Sequence, residues 1–315
     1  MSLLRVEGLT VSYNSRRGRV EALNNVTLDL GEGEVMGVVG ESGSGKSTLG
    51  LSILRLLPDN AVVEGGSIHF NGVNLLELDE EKMREIRGKG IGMVFQDPYS
   101  ALNPVMRIGD HFVELFLEHG FFQDREEALA EAGDILESLG VPRARLNDYP
   151  HQLSGGQRQR VAIGLALALK PRLVVADEIT TALDALVEAQ IMELLKDVKK
   201  AYKTSMIFIT HNMGLVAEFS DKVTVMYAGK VVESGKTEEV VGEPYHPYTK
   251  ALLASVPRIG GSKELKPIPG ETPDMRSPPS GCRFHPRCPL AFDKCRIEEP
   301  PLRNVGGRLV SCHIW

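Results

Sequence analysis

A chain of 315 residues, 42% apolar and 25% charged, suits one large or two modest soluble domains. Its net charge of -6 excludes the basic footprint of a nucleic-acid binder, so no nucleic-acid partner is expected. No apolar run nears the roughly 20 residues that cross a bilayer, the longest being Val161 to Leu169, and Met1-Ser2-Leu3-Leu4-Arg5 has no signal-peptide pattern. The chain is therefore expected in the cytoplasm, with any membrane role supplied by a separate partner.

The first strand signals are Leu4, Val6, Leu9 and Val11, running to Tyr13, with a polar turn at Ser15 to Gly18. Val26, Leu28 and Leu30 alternate with Thr27 and Asp29, which predicts a half-exposed strand. Gly31-Glu32-Gly33 turns it into a buried strand through Val35, Met36, Val38 and Val39. Thr48 to Leu57 reads as a helix closed by Pro58. Gly65-Gly66 precedes a short strand at Ser67 to Phe70, Asn71-Gly72 marks a hairpin, and Glu77 to Arg87 is a charged helix. Ile91 to Phe95 is an apolar strand ending on Gln96. From Asp97 to Tyr149 the pattern is helical, with Ala128, Ala132, Ile135, Leu136 and Leu139 at helical spacing. Ser154 caps a helix to Leu169, and Leu173 to Ala176 is a strand ending in Asp177-Glu178. Leu186 to Tyr202 is a helix, Met206 to Thr210 a strand ending on His211, and Val223 to Tyr227 with Val231 to Glu233 a terminal hairpin. This alternation predicts an α/β fold, its largely parallel sheet covered on both faces, with a helical subdomain inserted at about 97–160. Nine prolines run from Pro257 through Pro300, which breaks any helical or strand period and predicts an irregular extension over 256–315 after a main domain of 1–255.

Three stretches carry chemistry. Gly40-Glu41-Ser42-Gly43-Ser44-Gly45-Lys46-Ser47 fits G-x-x-x-x-G-K-[ST], between a buried strand and a helix. Its glycines let backbone N–H groups wrap a phosphate, and the helix N-terminus adds positive character. Lys46 can reach the terminal phosphates of a bound nucleotide, and Ser47 can offer its hydroxyl to Mg²⁺. Asp177, at a strand exit, can hold Mg²⁺ through water, and Glu178 can polarise an attacking water. Leu153-Ser154-Gly155-Gly156-Gln157 opens a helix and makes a second anion site, so two chains are expected to meet over one nucleotide.

In their order, the phosphate loop, Gln96, the LSGGQ stretch, Asp177-Glu178, the Ala182-Leu183-Asp184 turn and His211 resemble an ABC-transporter ATP-binding subunit over about 3–255. The resemblance implies a RecA-like parallel sheet with an N-terminal antiparallel β subdomain and an inserted helical one. It implies that Tyr13 stacks on adenine, that Gly40 and Ser42 through Thr48 hold the phosphates, and that Gln96 touches Mg²⁺, the attacking water and the membrane subunits. It further implies that Ser154, Gly156 and Gln157 meet the nucleotide of the opposite subunit, that Asp184 crosses the dimer interface, and that His211 contacts the γ-phosphate. The family usually has proline where this chain has Ile179, which suggests a looser loop there.

The extension narrows the resemblance to the dipeptide/oligopeptide importer ATPases, through Ser277 to Pro289, Asp97 to Pro104 and Tyr245 to Thr249. That implies a second ABC ATPase subunit, commonly a paralogue, two membrane permease subunits and an extracytoplasmic solute-binding protein. It places the chain at the cytoplasmic face of the membrane and implies ATP-driven uptake of dipeptides or oligopeptides, or of a related solute such as an oligosaccharide or nickel. Cys282, Cys288, Cys295 and Cys312 are the four cysteines, and in some relatives this extension holds a [4Fe–4S] cluster through four thiolates. Zinc, free thiols and disulfides stay open, although zinc ligand gaps are usually shorter. A translation or DNA-repair ATPase, or a redox module built on the cysteines, are the competing readings. A single cassette with an acidic balance disfavours the first, and an intact phosphate loop makes the second at most an added role.

Overall fold

A computed structural model describes residues 2–16, 18–181, 183–256 and 268–315. The expectations that rest on Ala182, Pro257 and Pro267 lie outside the described residues. The chain forms two compact units, Met1–Glu77 with Phe208–Trp315, and Leu78–Ile207.

The first unit opens with β1 (Ser2–Ser15), β2 (Gly18–Gly31), β3 (Val35–Val39), α1 (Lys46–Ile53), β4 (Ala61–Phe70) and β5 (Val73–Asn74). The second holds α2 (Glu80–Lys89), β6 (Ile91–Val94), α3 (Pro98–Ala101), α4 (Ile108–Glu118), α5 (Arg125–Ser138), α6 (Gly155–Leu167), β7 (Leu173–Asp177) and α7 (Ala185–Tyr202). The unit boundary falls within β8 (Ser205–Thr210). The first unit resumes with α8 (Met213–Phe219), β9 (Lys222–Tyr227), β10 (Lys230–Lys236), α9 (Thr237–Gly242) and α10 (Pro247–Ala254). It ends with α11 (Asp293–Ile297), β11 (Arg303–Val305) and β12 (Arg308–Val310).

In the first unit an antiparallel sheet runs β2-β1-β4-β5. Val26, Leu28 and Leu30 are buried and Asp29 is exposed, the alternation of a strand with one face on a core. β4 starts at Ala61 rather than Ser67, so Gly65-Gly66 lies inside the strand. The pair forms a bulge: Gly66 takes φ +95°, and the register shifts between Glu7 and Thr10 of β1 opposite. A Cβ at Gly66 would sit 2.6 Å from the Leu9 backbone, so only glycine permits this approach. Elsewhere in this unit β3 runs parallel to β9 in the strand order β11-β12-β10-β9-β3. The hairpin of β9 and β10 is therefore not terminal, because β12 pairs with β10 through Glu233↔Val310 and Ser234↔Leu309.

The extension is ordered by side-chain burial. Phe284 is only 2% exposed. Its ring lies edge-on to Tyr227 at 5.2 Å and to Tyr248 at 5.3 Å. A buried aromatic cluster, invisible to local periodicity, anchors the segment to the first unit's core.

Beside it His246 is fully buried, with Nδ1 accepting the Tyr248 N–H at 3.0 Å and the Glu233 carboxylate accepting the His246 N–H. Burial lowers its pKa from 6.5 to about 3. The unfolded chain thus takes up a proton that the folded chain refuses, and this contribution is full above pH 6.5 and lost towards pH 3. The expected slope is about 1.4 kcal/mol per pH unit in that window. His246→Asn keeps a capping acceptor, and should melt with a flatter dependence on pH between those limits; identical slopes would remove His246 as the cause.

In the second unit β6 pairs in parallel with β7. No strand falls between 97 and 149 among its described residues. Phe112, Phe116, Ala128, Ala132, Leu136 and Val161 join α4, α5 and α6 in one core. Asp124 starts α5 by accepting the N–H groups of Glu126 and Glu127.

Candidate nucleotide-binding site

The first unit presents the phosphate loop between β3 and α1. Gly45 is the N-cap of α1 at φ +98°, so the helix begins at Lys46, two residues before the expected start. A Cβ on Gly45 would lie 2.5 Å from the Ala22 carbonyl oxygen, and one on Gly40 would lie 2.1 Å from that of Met226. Both positions demand glycine for steric reasons. Lys46 is 4% exposed, and its Nζ donates to the carbonyls of Gly40 at 2.9 Å and Glu41 at 3.0 Å. The ammonium is thereby held over the loop. Ser44 Oγ is buried and has no hydrogen-bond partner among the described residues. A phosphate oxygen is the kind of acceptor that would relieve it. Ser47 and Thr48 are half-buried, whereas Ser42 and Gly43 face solvent. The Tyr13 hydroxyl lies 3.1 Å from Thr48 Oγ1, which ties the expected adenine-stacking aromatic to the loop's end. His211 is exposed just after β8, and Asn212 next to it caps α8.

The loop has further partners that sequence reasoning missed. The Glu41 N–H donates to the Tyr248 hydroxyl at 2.9 Å. The Glu41 carboxylate accepts from both terminal nitrogens of Arg287, at 2.6 and 3.0 Å. No local pattern signals a contact between residues 246 apart in the chain.

The second unit gathers Gln96, Asp177 and Glu178. Asp177 is 4% exposed at the end of β7. Glu178 takes φ +45°, a left-handed backbone uncommon for a residue with a Cβ. Its Oε2 accepts from Gln96 Nε2 at 3.3 Å and from Thr181 Oγ1 at 3.2 Å. Ile179 is buried, and the Thr181 N–H closes the turn on the Glu178 carbonyl at 3.0 Å. Without proline at 179, Glu178 escapes the restriction that proline places on its predecessor.

Ser154 and Gln157 form a reciprocal capping box on α6, with Ser154 exposed. Gly156 lies where a Cβ would meet Val187 at 2.9 Å. Asp184 caps α7 by accepting the N–H groups of Leu186 and Val187. Arg158 stacks over the Tyr99 ring at 4.1 Å, which fastens α3 to α6.

The cysteines are all free, and Cys295 is buried. Burial raises the Cys282 thiol to about 11, with further increments from Cys312, Cys295 and Cys288. Burial likewise raises Cys288 and Cys312, each of which also feels Cys295. The four thiols thus lie near enough to influence one another. They do not converge: among the described residues no group of three or more His, Cys, Asp or Glu is arranged to hold a metal ion.

The family model described as "ABC transporter" matches residues 23–181. This chain belongs to the ABC transporter family. A second model, "Oligopeptide/dipeptide transporter, C-terminal region", matches residues 232–295 of the cassette. The cassette is 45% identical over 308 residues to the oligopeptide transport ATP-binding protein OppD of Bacillus subtilis (strain 168), covering 96% of this chain and 86% of that one. It is 44% identical over 306 residues to the dipeptide transport ATP-binding protein DppD of Lactococcus lactis subsp. cremoris, covering 96% and 88% respectively. Its fold matches the dimeric post-hydrolysis structure of the ATP-binding cassette MJ0796 bound to ADP and Pi. That match has a TM-score of 0.67 at 30% identity, over 74% of this chain and 98% of that one.

Proposed function

We propose that this cassette is the ATP-hydrolysing subunit of an importer for dipeptides or oligopeptides. The observation that carries the reading is the peptide-transporter C-terminal match, at residues 232–295, on a chain that resembles OppD and DppD along almost its whole length. Gly40 and Ser42 through Thr48 hold the phosphates of ATP, with Tyr13 stacked on the base and Lys46 and His211 stabilising charge on the γ-phosphate. Ser47, Gln96 and Asp177 are the residues that suit Mg²⁺, which when bound neutralises the phosphate oxygens. Glu178 accepts a proton from the attacking water, which Gln96 helps to orient. Ser154, Gly156, Gln157 and Asp184 serve the nucleotide of a second cassette, a paralogue.

Residues 1–255 form the ATPase domain, with its helical part at about 97–160, and 256–315 form the extension. The segment Gln96 to Asn103 transmits closure to two permease subunits, and Tyr99 and the 80% exposed Val105 offer apolar contact there. No described helix is long and apolar enough to cross a membrane, and peripheral seating on the cytoplasmic face follows from those partners. An extracytoplasmic binding protein delivers the solute.

Four free thiols are the kind of donor set that a [4Fe–4S] cluster takes, and Cys282, Cys288, Cys295 and Cys312 would hold one only after drawing closer than they lie here. Bound, it would cross-link the extension and carry one electron. The burial-raised thiols must lose their protons first, so loading should release acid. Visible absorption of anaerobically purified protein separates this cluster from zinc, which would leave it colourless.

The decisive test is reconstitution with permease subunits and a binding protein of the peptide-importer class. ATP-dependent uptake of labelled peptides is expected. Uptake of oligosaccharide or nickel, without peptide, would overturn the reading.

A further inference from the structure

The loop residue Glu41 is held on three sides by groups outside the phosphate-binding motif or at its far end. Tyr248 accepts its N–H at 2.9 Å, Lys46 Nζ donates to its carbonyl at 3.0 Å, and Arg287 grips its carboxylate with two hydrogen bonds. Arg287 is itself fixed. Its Nε donates to the Pro269 carbonyl at 2.8 Å, its Nη1 lies 3.3 Å from the Tyr227 hydroxyl, and its side chain is 5% exposed. The short helical turn His285–Arg287 sets its position, one residue after the buried Phe284 and two residues before Pro289. A paired, bidentate and largely desolvated guanidinium fixes direction as well as distance, which an exposed ion pair does not. The same face holds a cavity of about 90 Å³ whose lining includes Glu41, Ser42, Gly43 and Ser44 from the loop and Thr272, Pro273 and Met275 from the extension. Two separate segments of the extension thus meet the first half of the phosphate loop, while its second half is set by Gly45 and α1.

We infer that the C-terminal extension is an intramolecular brace for the phosphate loop, with Arg287 as a positioning residue that presets the Glu41 end of the loop for nucleotide. The extension then contributes to ATP affinity from within the same chain. Arg287 does so without touching the nucleotide. This rests on nucleotide binding at Gly40 to Thr48.

The test is Mg-ATP binding to the purified full chain, read by displacement of a fluorescent nucleotide. Arg287→Met and Glu41→Gln should each weaken binding about tenfold. The double variant should be no weaker than either single one, and the charge reversal Glu41→Arg with Arg287→Glu should recover most of the loss. Arg276→Ala, which removes an exposed pair with Asp274 in the same extension, should bind like the parent. If Arg287→Met does not fold, as a melting curve without nucleotide will show, Glu41→Gln at a partly exposed position carries the test. Parental affinity in Glu41→Gln, or losses that simply add in the double variant, would overturn the brace while leaving nucleotide binding intact. A parent chain that binds no nucleotide overturns both.

Discussion

Glu178→Gln should cut ATP turnover by about 10²–10⁴-fold, the usual contribution of a positioned general base, while Mg-ATP binding stays at the parental level. The amide is isosteric, so it can still accept from Gln96 and Thr181, which now lie 3.3 and 3.2 Å from the carboxylate. What it loses is basicity towards water. The left-handed backbone at φ +45° holds this side chain at the strand exit, and such outliers cluster where geometry serves chemistry. A cassette that binds but cannot hydrolyse should also accumulate as an ATP-dependent dimer with a second cassette on size exclusion. Phosphate release within twofold of the parent at saturating Mg-ATP would remove Glu178 as the base. Loss of binding together with turnover would instead assign it a role in the fold of the loop after β7.

The phosphate loop was readable because all its determinants are local. Glycines, lysine and flanking elements lie within one stretch, and the steric demands at Gly40 and Gly45 are met by the residues the motif names. Ser154 was legible for the same reason, since a cap acts on the N–H three residues along. Strand alternation at Val26, Leu28 and Leu30 needed only a period of two. The misreadings share a different cause. Gly65-Gly66 looks like a strand breaker until Thr10 opposite supplies the bulge's partner. The hairpin of β9 and β10 looks terminal until β12 arrives from more than 70 residues away. Arg287 reads as one basic residue among prolines, and only tertiary structure reveals that its partner is Glu41. The cysteines announced a shared site by composition, but their arrangement depends on a fold that has no period to follow.

The same long-range logic gives Phe284→Ala the largest stability effect. Truncating a buried phenylalanine costs about 3–5 kcal/mol, and for a unit of this size about 2–4 °C accompanies each kcal/mol. A fall in melting midpoint of roughly ten degrees is therefore expected by calorimetry on metal-free protein. The control is Phe292→Ala, at a side chain 43% exposed in the same extension, which should move the midpoint by little. Metal-free protein matters because two mechanisms could order the extension, a cross-link through the thiols or burial of Phe284 against Tyr227 and Tyr248. Only burial predicts a large loss with no metal present. It also predicts that the melting unit includes Tyr248, whose hydroxyl accepts the Glu41 N–H, so nucleotide affinity should fall with the midpoint. An unchanged midpoint would mean that Phe284 fills space without anchoring anything, and burial would fall as the cause of the extension's order.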